Sequence, residues 1–580
     1  MKLLKRLLPI IIVIALTYWA NAPLLHSGFF PIHDDEQVGR LYELNLDVQA
    51  GQLPPRMAQD LGYGYDYPLF NFYPSFIYYV AEIYHLVGFS YIDSIKLMIA
   101  TGLILSAVFM YVLTKEYFGK FAGVVSSVLY TYASYHSVDV YVRGALPEFW
   151  AFVFLPAVFW MYAKLAKEPK IYLAIITGIF LGFFVLTHNL IAMMSGPFIF
   201  CFLVYLYFIS KKKKQFILMI LLSGLVGVFL TAYFWLPELA EKQYTMVSLL
   251  TTQLASYTLY FVYPIQFWYS PWGYGGGAPG NPLANGLSVQ IGRIYFYALA
   301  AVFVYALLLL KKSKKISVLL LLLIILFIFS LYMQIAQSKF IWDALQSVMS
   351  YIQFPWRFLL ISNFLASFAI GALFLMPVPL FKHKYVTYLQ YVIGVILIAI
   401  IIYKAIPIFR PQVYLTQATD ADYISKGVLE WKTTNMSFEY TPKGIATKMS
   451  ERGNSVIKIT HSQIEKSPFS VISGVMQIKI MKDIPQQKTA NISVEKKGIL
   501  QINVYDFPGW KVYVDGRHVA YTASNPLRLL RIPLSPGRHI IVAQFTDTPV
   551  RSIGNILSGA TILGIVLYFI YFLIQKRRKK

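Results

Sequence analysis

The chain has 580 residues, 57% of them hydrophobic, 17% aromatic and only 13% charged, with a mean hydropathy of +0.57. A water-soluble domain carries about 25% charged residues, so a single soluble fold is excluded. The net charge of +24 would suggest nucleic acid in a soluble protein, whereas in a membrane protein such an excess records topology. One cysteine, Cys201, excludes an intramolecular disulfide and a cysteine metal site.

In chain order, Lys2, Lys5 and Arg6 precede an apolar run that reaches about Leu25. Ala20-Asn21-Ala22 resembles a signal-peptide cleavage site. Pro23 would then be the first mature residue, a poor substrate for the peptidase, and the run is long enough for a bilayer core of about 30 Å. It reads as a retained span with its N-terminus inside. Further apolar stretches follow at roughly 94–114, 121–137, 149–163, 171–187, 190–209, 215–235, 294–310, 316–333, 358–376, 385–403 and 552–574, so that about 12 spans are expected. The segment Asn71 to Val87 is ambiguous, because it is dense in Tyr and Phe yet carries Glu82 and His85. The positive-inside rule decides it. If this segment does not cross, the clusters at Lys115 and Lys120, Lys164 to Lys170, Lys211 to Lys214, Lys311 to Lys315, Lys382 and Lys384, and Lys576 to Lys580 all face the cytoplasm with the N-terminus. Those seven segments hold 23 basic residues against two acidic ones, Glu116 and Glu168, which accounts for +21 of the net charge. Asn71 to Val87 therefore reads as a helix in the outer interface, where aromatic rings prefer to sit.

The expected fold class is a polytopic α-helical membrane protein with an extracytoplasmic β-sandwich domain before the last helix. Residues 1–405 form the transmembrane domain with a long first external loop, 406–549 the external domain, and 550–580 the final helix and basic tail, with both termini cytoplasmic in the cell membrane. The strand signals in the external domain are period-2 runs around Ile499 to Tyr505, Val512 to Val514 and His539 to Phe545, with Asp515-Gly516 as a hairpin turn.

The predicted spans contain almost no ionisable residues, unlike ion-coupled transporters, which carry them near the midplane. The charges of interest sit at external ends. Asp34, Asp35 and Glu36 follow the first span, where a carboxylate serves as general base or divalent-cation ligand; an acidic helix cap explains the same residues. Asp139, Arg143 and Glu148 bridge two spans, and an Arg there suits bidentate binding of a lipid phosphate; an Arg to Glu pair that closes the loop is the alternative. Arg293 and Arg357 stand at external helix ends as phosphate ligands or snorkelling anchors. His188 ends the fifth span, as a packed helix-end residue or part of the pocket. The loop Tyr269 to Gly277, rich in aromatic residues and glycine, is either a wall that stacks on sugars or a flexible interface loop.

Several linked motifs carry a family resemblance. They are His33-Asp34-Asp35 through Arg40, Gly51-Gln52-Leu53-Pro54-Pro55-Arg56, Gly62-Tyr63-Gly64-Tyr65, Phe72-Tyr73-Pro74, Val142-Arg143-Gly144-Ala145 with Glu148, Thr187-His188-Asn189, Phe354-Pro355-Trp356-Arg357 and Phe507-Pro508-Gly509-Trp510. The chain resembles the membrane proteins labelled 6-pyruvoyl-tetrahydropterin-synthase-related and their YfhO-like relatives; the label does not mean pterin chemistry. That group looks like the GT-C superfamily of glycosyltransferases. The resemblance implies an inverting enzyme that takes a sugar from a polyprenyl-phosphate donor to a glycan, lipid or protein acceptor on the outer membrane face, with no nucleic-acid partner. It implies catalytic acidic residues matching Asp34 or Asp35 in the first loop and Asp139 or Glu148 in the second. Arg143, Arg293 and Arg357 would face the leaving phosphate, with Asp139 and His188 in the binding site. The metal-binding acidic pair of some GT-C enzymes has no assigned counterpart, so a divalent cation such as Mg or Mn stays open as a cofactor. A translocator of lipid-linked glycan without chemistry is the competing function.

Overall fold

The computed structural model describes residues 2–248, 256–277, 281, 286–375, 384–449 and 455–578. Lys382, Lys579 and Lys580 of the expected cytoplasmic clusters lie outside the described residues. The helices used below are α1 (Lys2–Leu16), α2 (Gln37–Gln49), α3 (Phe76–Leu86), α4 (Tyr91–Phe118), α5 (Lys120–Thr131), α6 (Leu146–Lys167), α7 (Ile171–Thr187), α8 (Asn189–Ile209), α9 (Lys213–Leu230), α10 (Ala232–Glu241), α11 (Arg293–Leu309), α12 (Lys314–Tyr332), α13 (Phe358–Gly371) and α14 (Lys384–Ala405). After the strands comes α15 (Pro549–Arg578).

Among the described residues eight helices are long and apolar enough to cross a membrane, and nine if the bent pair Leu7–Leu16 and Tyr18–Leu25 counts as one span. The other three expected spans are shorter helices: α7 and α11 have 17 residues each and α5 only 12. The apolar run that starts in α5 was expected to continue to residue 137. It breaks at Ala133, whose backbone is extended, and the chain then re-enters helix as a short turn. Helix α3 has 11 residues, about 16 Å at 1.5 Å per residue, too short to cross. Its Ile83 and Leu86 are exposed, as an interfacial helix requires.

The basic loops gather at one end of the bundle. Glu116, at the end of α4, pairs with Lys167 at the end of α6 at 2.5 Å. Ser210 donates to the Ala166 carbonyl at 2.9 Å, and Tyr205 donates to the Lys315 carbonyl at 3.1 Å. Tyr172 contacts Phe572 near the C-terminal tail, with ring centroids 5.4 Å apart. Helices α6 and α13 are the most buried long helices in the bundle, whereas α15 runs along its outside. The two central helices carry Glu148 and Arg357 at the end opposite the lysines.

The residues before the strands pack onto the long segment between α1 and α4. Phe29 and Leu415 exchange backbone hydrogen bonds at 3.2 and 2.8 Å, and the Asp420 carboxylate accepts from the backbone N–H groups of Tyr91 and Ile92, capping α4. Regular strands start only at β1 (Thr447–Met449) and β2 (Ser455–Ile457), which form a two-stranded sheet. They continue as β3 (Phe469–Ile484), β4 (Gln487–Tyr505), β5 (Trp510–Val514), β6 (Arg517–Val519), β7 (Leu529–Leu534) and β8 (Gly537–Phe545). Instead of two separately bonded layers, β3 to β8 form one six-stranded sheet ordered β3-β4-β8-β5-β6, with β7 beside β4. The cause is the length of β4: its first half pairs with β8 and its second half with β7. Apolar side chains from both halves join one core, which Met57 and Phe72 of the segment between α1 and α4 complete. The Asp515-Gly516 turn forms where the sequence placed it, with φ of 51° and 79°, the pair of positive values that a two-residue hairpin needs.

Candidate active site

The segment after the first span and the segment before α6 are laced together by backbone hydrogen bonds. The His33 N–H donates to the Val142 carbonyl at 3.0 Å and the Asp34 N–H to the Arg143 carbonyl at 2.8 Å. The contact needs Gly144, whose φ is +67° and where a side chain would meet Ile32 at 2.5 Å. Gln37 donates to the Gly144 carbonyl at 2.9 Å, and Tyr78 of α3 donates to Gln37 at 2.7 Å. Asp34 is thereby fixed beside Arg143.

Residues 138–143 form a single π-helical turn, a feature that is rare and concentrated at functional sites. Its last residue, Arg143, points Nη1 at Asp139 (2.7 Å), Glu148 (2.9 Å) and the Tyr135 hydroxyl (2.8 Å). Glu148 Oε2 also accepts from Arg357 Nε at 3.0 Å, while Oε1 accepts from the Tyr135 hydroxyl at 2.5 Å. Arg357 is held from its far side by the Ile352 carbonyl at 2.8 Å. The four charged residues are 9% exposed or less. One carboxylate thus fixes two guanidiniums, and among the described residues Nη2 of each arginine has no protein partner.

Burial and the neighbouring Glu148 push the Asp139 carboxyl well above its ordinary range, against the pull of Arg143. Two carboxyls in one buried site resist joint ionisation. Burial opposes charge on Arg143, but Glu148, Tyr135 and Asp139 outweigh it and raise its pKa. Arg143 and Arg357 share Glu148 as their common partner, so two guanidiniums stand side by side at one site, as recognition of an anion requires.

Arg143, Glu148, Arg357 and His188 line a cavity of about 720 Å³. Asp34, Glu36 and Arg40 enter it from the segment between α1 and α4, and Glu238 and Lys242 from α10 and just beyond it. Ser437, Glu439 and Tyr440 close a further side, so the chain after α14 builds the site as well as linking to the strands. Met193, Leu239 and Val348 line the cavity and are themselves exposed, which gives it an apolar flank.

Of the residues singled out from sequence, Asp34, Arg143, Glu148, His188 and Arg357 line this cavity, and Asp139 lies buried beneath Arg143. His188 links α7 to α8, and its Nδ1 accepts from the Ile191 N–H at 3.2 Å, capping α8. Asp35 and Arg293 do not line the cavity. Asp35 turns to Lys432 at 3.1 Å, and burial raises its carboxyl despite that partner. Arg293 opens α11 with its guanidinium over the Tyr269 ring at 5.8 Å. The loop Tyr269 to Gly277 is likewise outside the lining. It braces the site from behind: His33 Nε2 is 2.8 Å from the Tyr274 carbonyl, and Gly277 packs so closely on Trp356 that a Cβ would lie 2.8 Å from the ring.

Sequence reasoning did not assign roles to Arg40, Glu238, Lys242, Glu439 or Tyr135. Glu36 and Arg40 pair at 2.8 Å, an i,i+4 spacing visible in the sequence, and Arg40 stacks on Tyr73 at 4.0 Å. Burial, opposed by Arg40, pushes the Glu36 carboxyl up to about 7. Burial likewise raises Glu439 and brings Glu238 to about 7, against its hydrogen bond from Asn189. No sequence pattern places Glu439 near Asp34. Among the described residues no three His, Cys, Asp or Glu side chains converge as a metal cage would require.

No protein-family model matches the chain, and no curated protein matches it, so the family resemblance rests on its motifs. Among solved structures the chain is similar to the Archaeoglobus fulgidus oligosaccharyltransferase in several states. The apo form is 14% identical over 70% of this chain and 56% of that one, with a TM-score of 0.42. The complex with Zn and sulfate gives 14%, 70%, 53% and 0.40. The form tethered through a disulfide to an acceptor peptide containing the NVT sequon gives 13%, 71%, 56% and 0.40. The match thus spans little more than half the length of that enzyme, and at this distance no argument about the site is drawn from it.

Proposed function

We propose that this protein is a membrane glycosyltransferase that takes a sugar from a polyprenyl-phosphate donor and passes it, with inversion, to a hydroxyl of a glycan, lipid or protein at the outer membrane face. The observation that carries this reading is the pair of buried guanidiniums, Arg143 and Arg357, each with a free Nη2, lining one cavity with Asp34. A phosphate diester is an anion that two fixed guanidiniums match in charge and geometry. The exposed apolar flank suits the lipid tail.

In the transfer, the acceptor oxygen attacks the anomeric carbon while the bond from that carbon to the phosphate oxygen breaks. The acceptor proton goes to the Asp34 carboxylate as general base. The leaving phosphate keeps the bonding electrons and needs no proton, only cationic stabilisation, which Arg143 and Arg357 supply. Glu148 takes a positioning role instead of the catalytic one expected from sequence, because both its oxygens are spent on Tyr135 and the two arginines. Asp139 supports Arg143 from below.

The test is release of polyprenyl phosphate by purified protein in detergent, supplied with polyprenyl-phosphate glucose, mannose or N-acetylglucosamine and a cell-envelope extract as acceptor. Asp34→Asn is expected to abolish turnover and leave donor binding intact. Equal turnover in wild type and variant would remove Asp34 as the base, and failure of the wild type to bind polyprenyl phosphate would remove the donor.

A further inference from the structure

We infer that Glu238 and Asn189 form the subsite that reads hydroxyls of the transferred sugar, an inference that rests on the glycosyl-transfer reading. Glu238 Oε1 accepts from Asn189 Nδ2 at 2.5 Å, and among the described residues its Oε2 has no protein partner. Because Glu238 lines the cavity, that free oxygen is available to a ligand. Asn189 is fixed in turn, since its own Oδ1 accepts from the Leu190 N–H at 2.9 Å. The pair is therefore a rigid, half-used acceptor.

The pair shares the cavity with the phosphate clamp. Asn189 follows His188 directly, and His188 lies within electrostatic reach of Arg357 and Glu148. A sugar whose phosphate rests on the two arginines would extend its ring from the clamp toward this corner. Trp235, one turn before Glu238 on α10, also lines the cavity, and its indole N–H is occupied by the Val228 carbonyl at 2.9 Å. That leaves a fixed ring with no polar demand, the partner that the C–H face of a pyranose requires. Lys242, poised over Tyr351 at 4.8 Å, adds a donor on the same wall. Carboxylate, amide, ammonium and fixed indole together recognise a neutral sugar with free, adjacent hydroxyls. The raised carboxyl of Glu238 agrees with a group shielded from bulk water.

The experiment measures binding of a short-chain polyprenyl phosphate and of its glucosyl, mannosyl and N-acetylglucosaminyl esters to the full-length protein in detergent. At least one ester is expected to bind wild type more tightly than the bare phosphate. In Glu238→Gln and in Asn189→Ala that gain should fall by about tenfold or more, with bare phosphate bound as in wild type, which also reports that the variants fold. A gain retained in both variants, or no ester exceeding the bare phosphate in wild type, overturns the subsite. Loss of bare-phosphate binding in wild type instead overturns the donor clamp on which the subsite depends.

Discussion

Replacing Glu148 by Gln tests the arrangement at its centre, because the substitution keeps the shape and removes the charge that holds two guanidiniums. Glu148 accepts from Tyr135 at 2.5 Å, Arg143 at 2.9 Å and Arg357 at 3.0 Å, and is 1% exposed. Breaking a buried pair costs about 3–5 kcal/mol, since it leaves uncompensated charge behind. Here two cations lose their common partner. Asp139 is a poor substitute, because burial raises its carboxyl. The variant is therefore expected to lose about 3–5 kcal/mol, a large share of the about 5–15 kcal/mol that a folded domain typically possesses. The same surplus of positive charge should strengthen the site for anions. Thermal unfolding in detergent is measured with inorganic phosphate and with chloride at equal ionic strength. Phosphate should raise the midpoint of Glu148→Gln more than that of wild type, while turnover stays lost because the arginines no longer hold their geometry. A variant that unfolds with wild type, or whose lowered midpoint responds equally to chloride and phosphate, would refute the two-arginine clamp.

Asp35→Asn and Arg293→Ala should keep turnover within about twofold of wild type. Asp35 loses a pairing with an exposed lysine worth at most about 1 kcal/mol, and Arg293 lies off the cavity. An inactive Asp35→Asn would transfer the base role to that residue. Stability should also depend on pH, because the carboxyls of Glu36 and Glu238 rise from 4.5 to about 7 on folding. Between about pH 4.5 and 7 the folded protein retains protons that the unfolded chain releases, so stability falls as pH rises through that window and levels off above it. Glu238→Gln should make the fall shallower, and an identical pH profile in variant and wild type would contradict the shift. For orientation, Lys311→Cys in a Cys201→Ser background should resist an impermeant thiol reagent applied to intact cells. Labelling from outside would reverse the sidedness inferred from the lysine clusters.

Much of the architecture was legible because the bilayer enforces simple rules. Backbone groups in lipid must be satisfied within a helix, so apolar length alone located the eight long apolar helices and the bent pair at the start. Lysine clusters alone placed Asn71 to Val87 in the interface, and an 11-residue α3 is consistent with that placement. Helix breaks were less legible. The apolar run beyond α5 stops at Ala133 because the next residues must form the π-turn that presents Asp139 and Arg143, a tertiary demand that hydropathy does not register. The β-domain was foreseen in its turns, since Asp515-Gly516 needs only local geometry. The single sheet depends on β4 pairing on both halves, a long-range choice.

At the site, the sequence by itself singled out charges at span ends, Asp34, Asp139, Arg143, Glu148 and Arg357, where ionisable groups are tolerated next to lipid. It could not decide which of them meet. Arg357 lies 209 positions from Glu148, and Glu439 joins Asp34 only because the chain after α14 folds back onto the first loop. Asp34 and Asp35 are neighbours with equal claims in sequence. The two backbone hydrogen bonds to Val142 and Arg143 help fix Asp34 in the cavity, while Asp35 turns out to Lys432. Polarity at a membrane boundary is set by residue type, whereas convergence on one cavity is set by packing between distant segments.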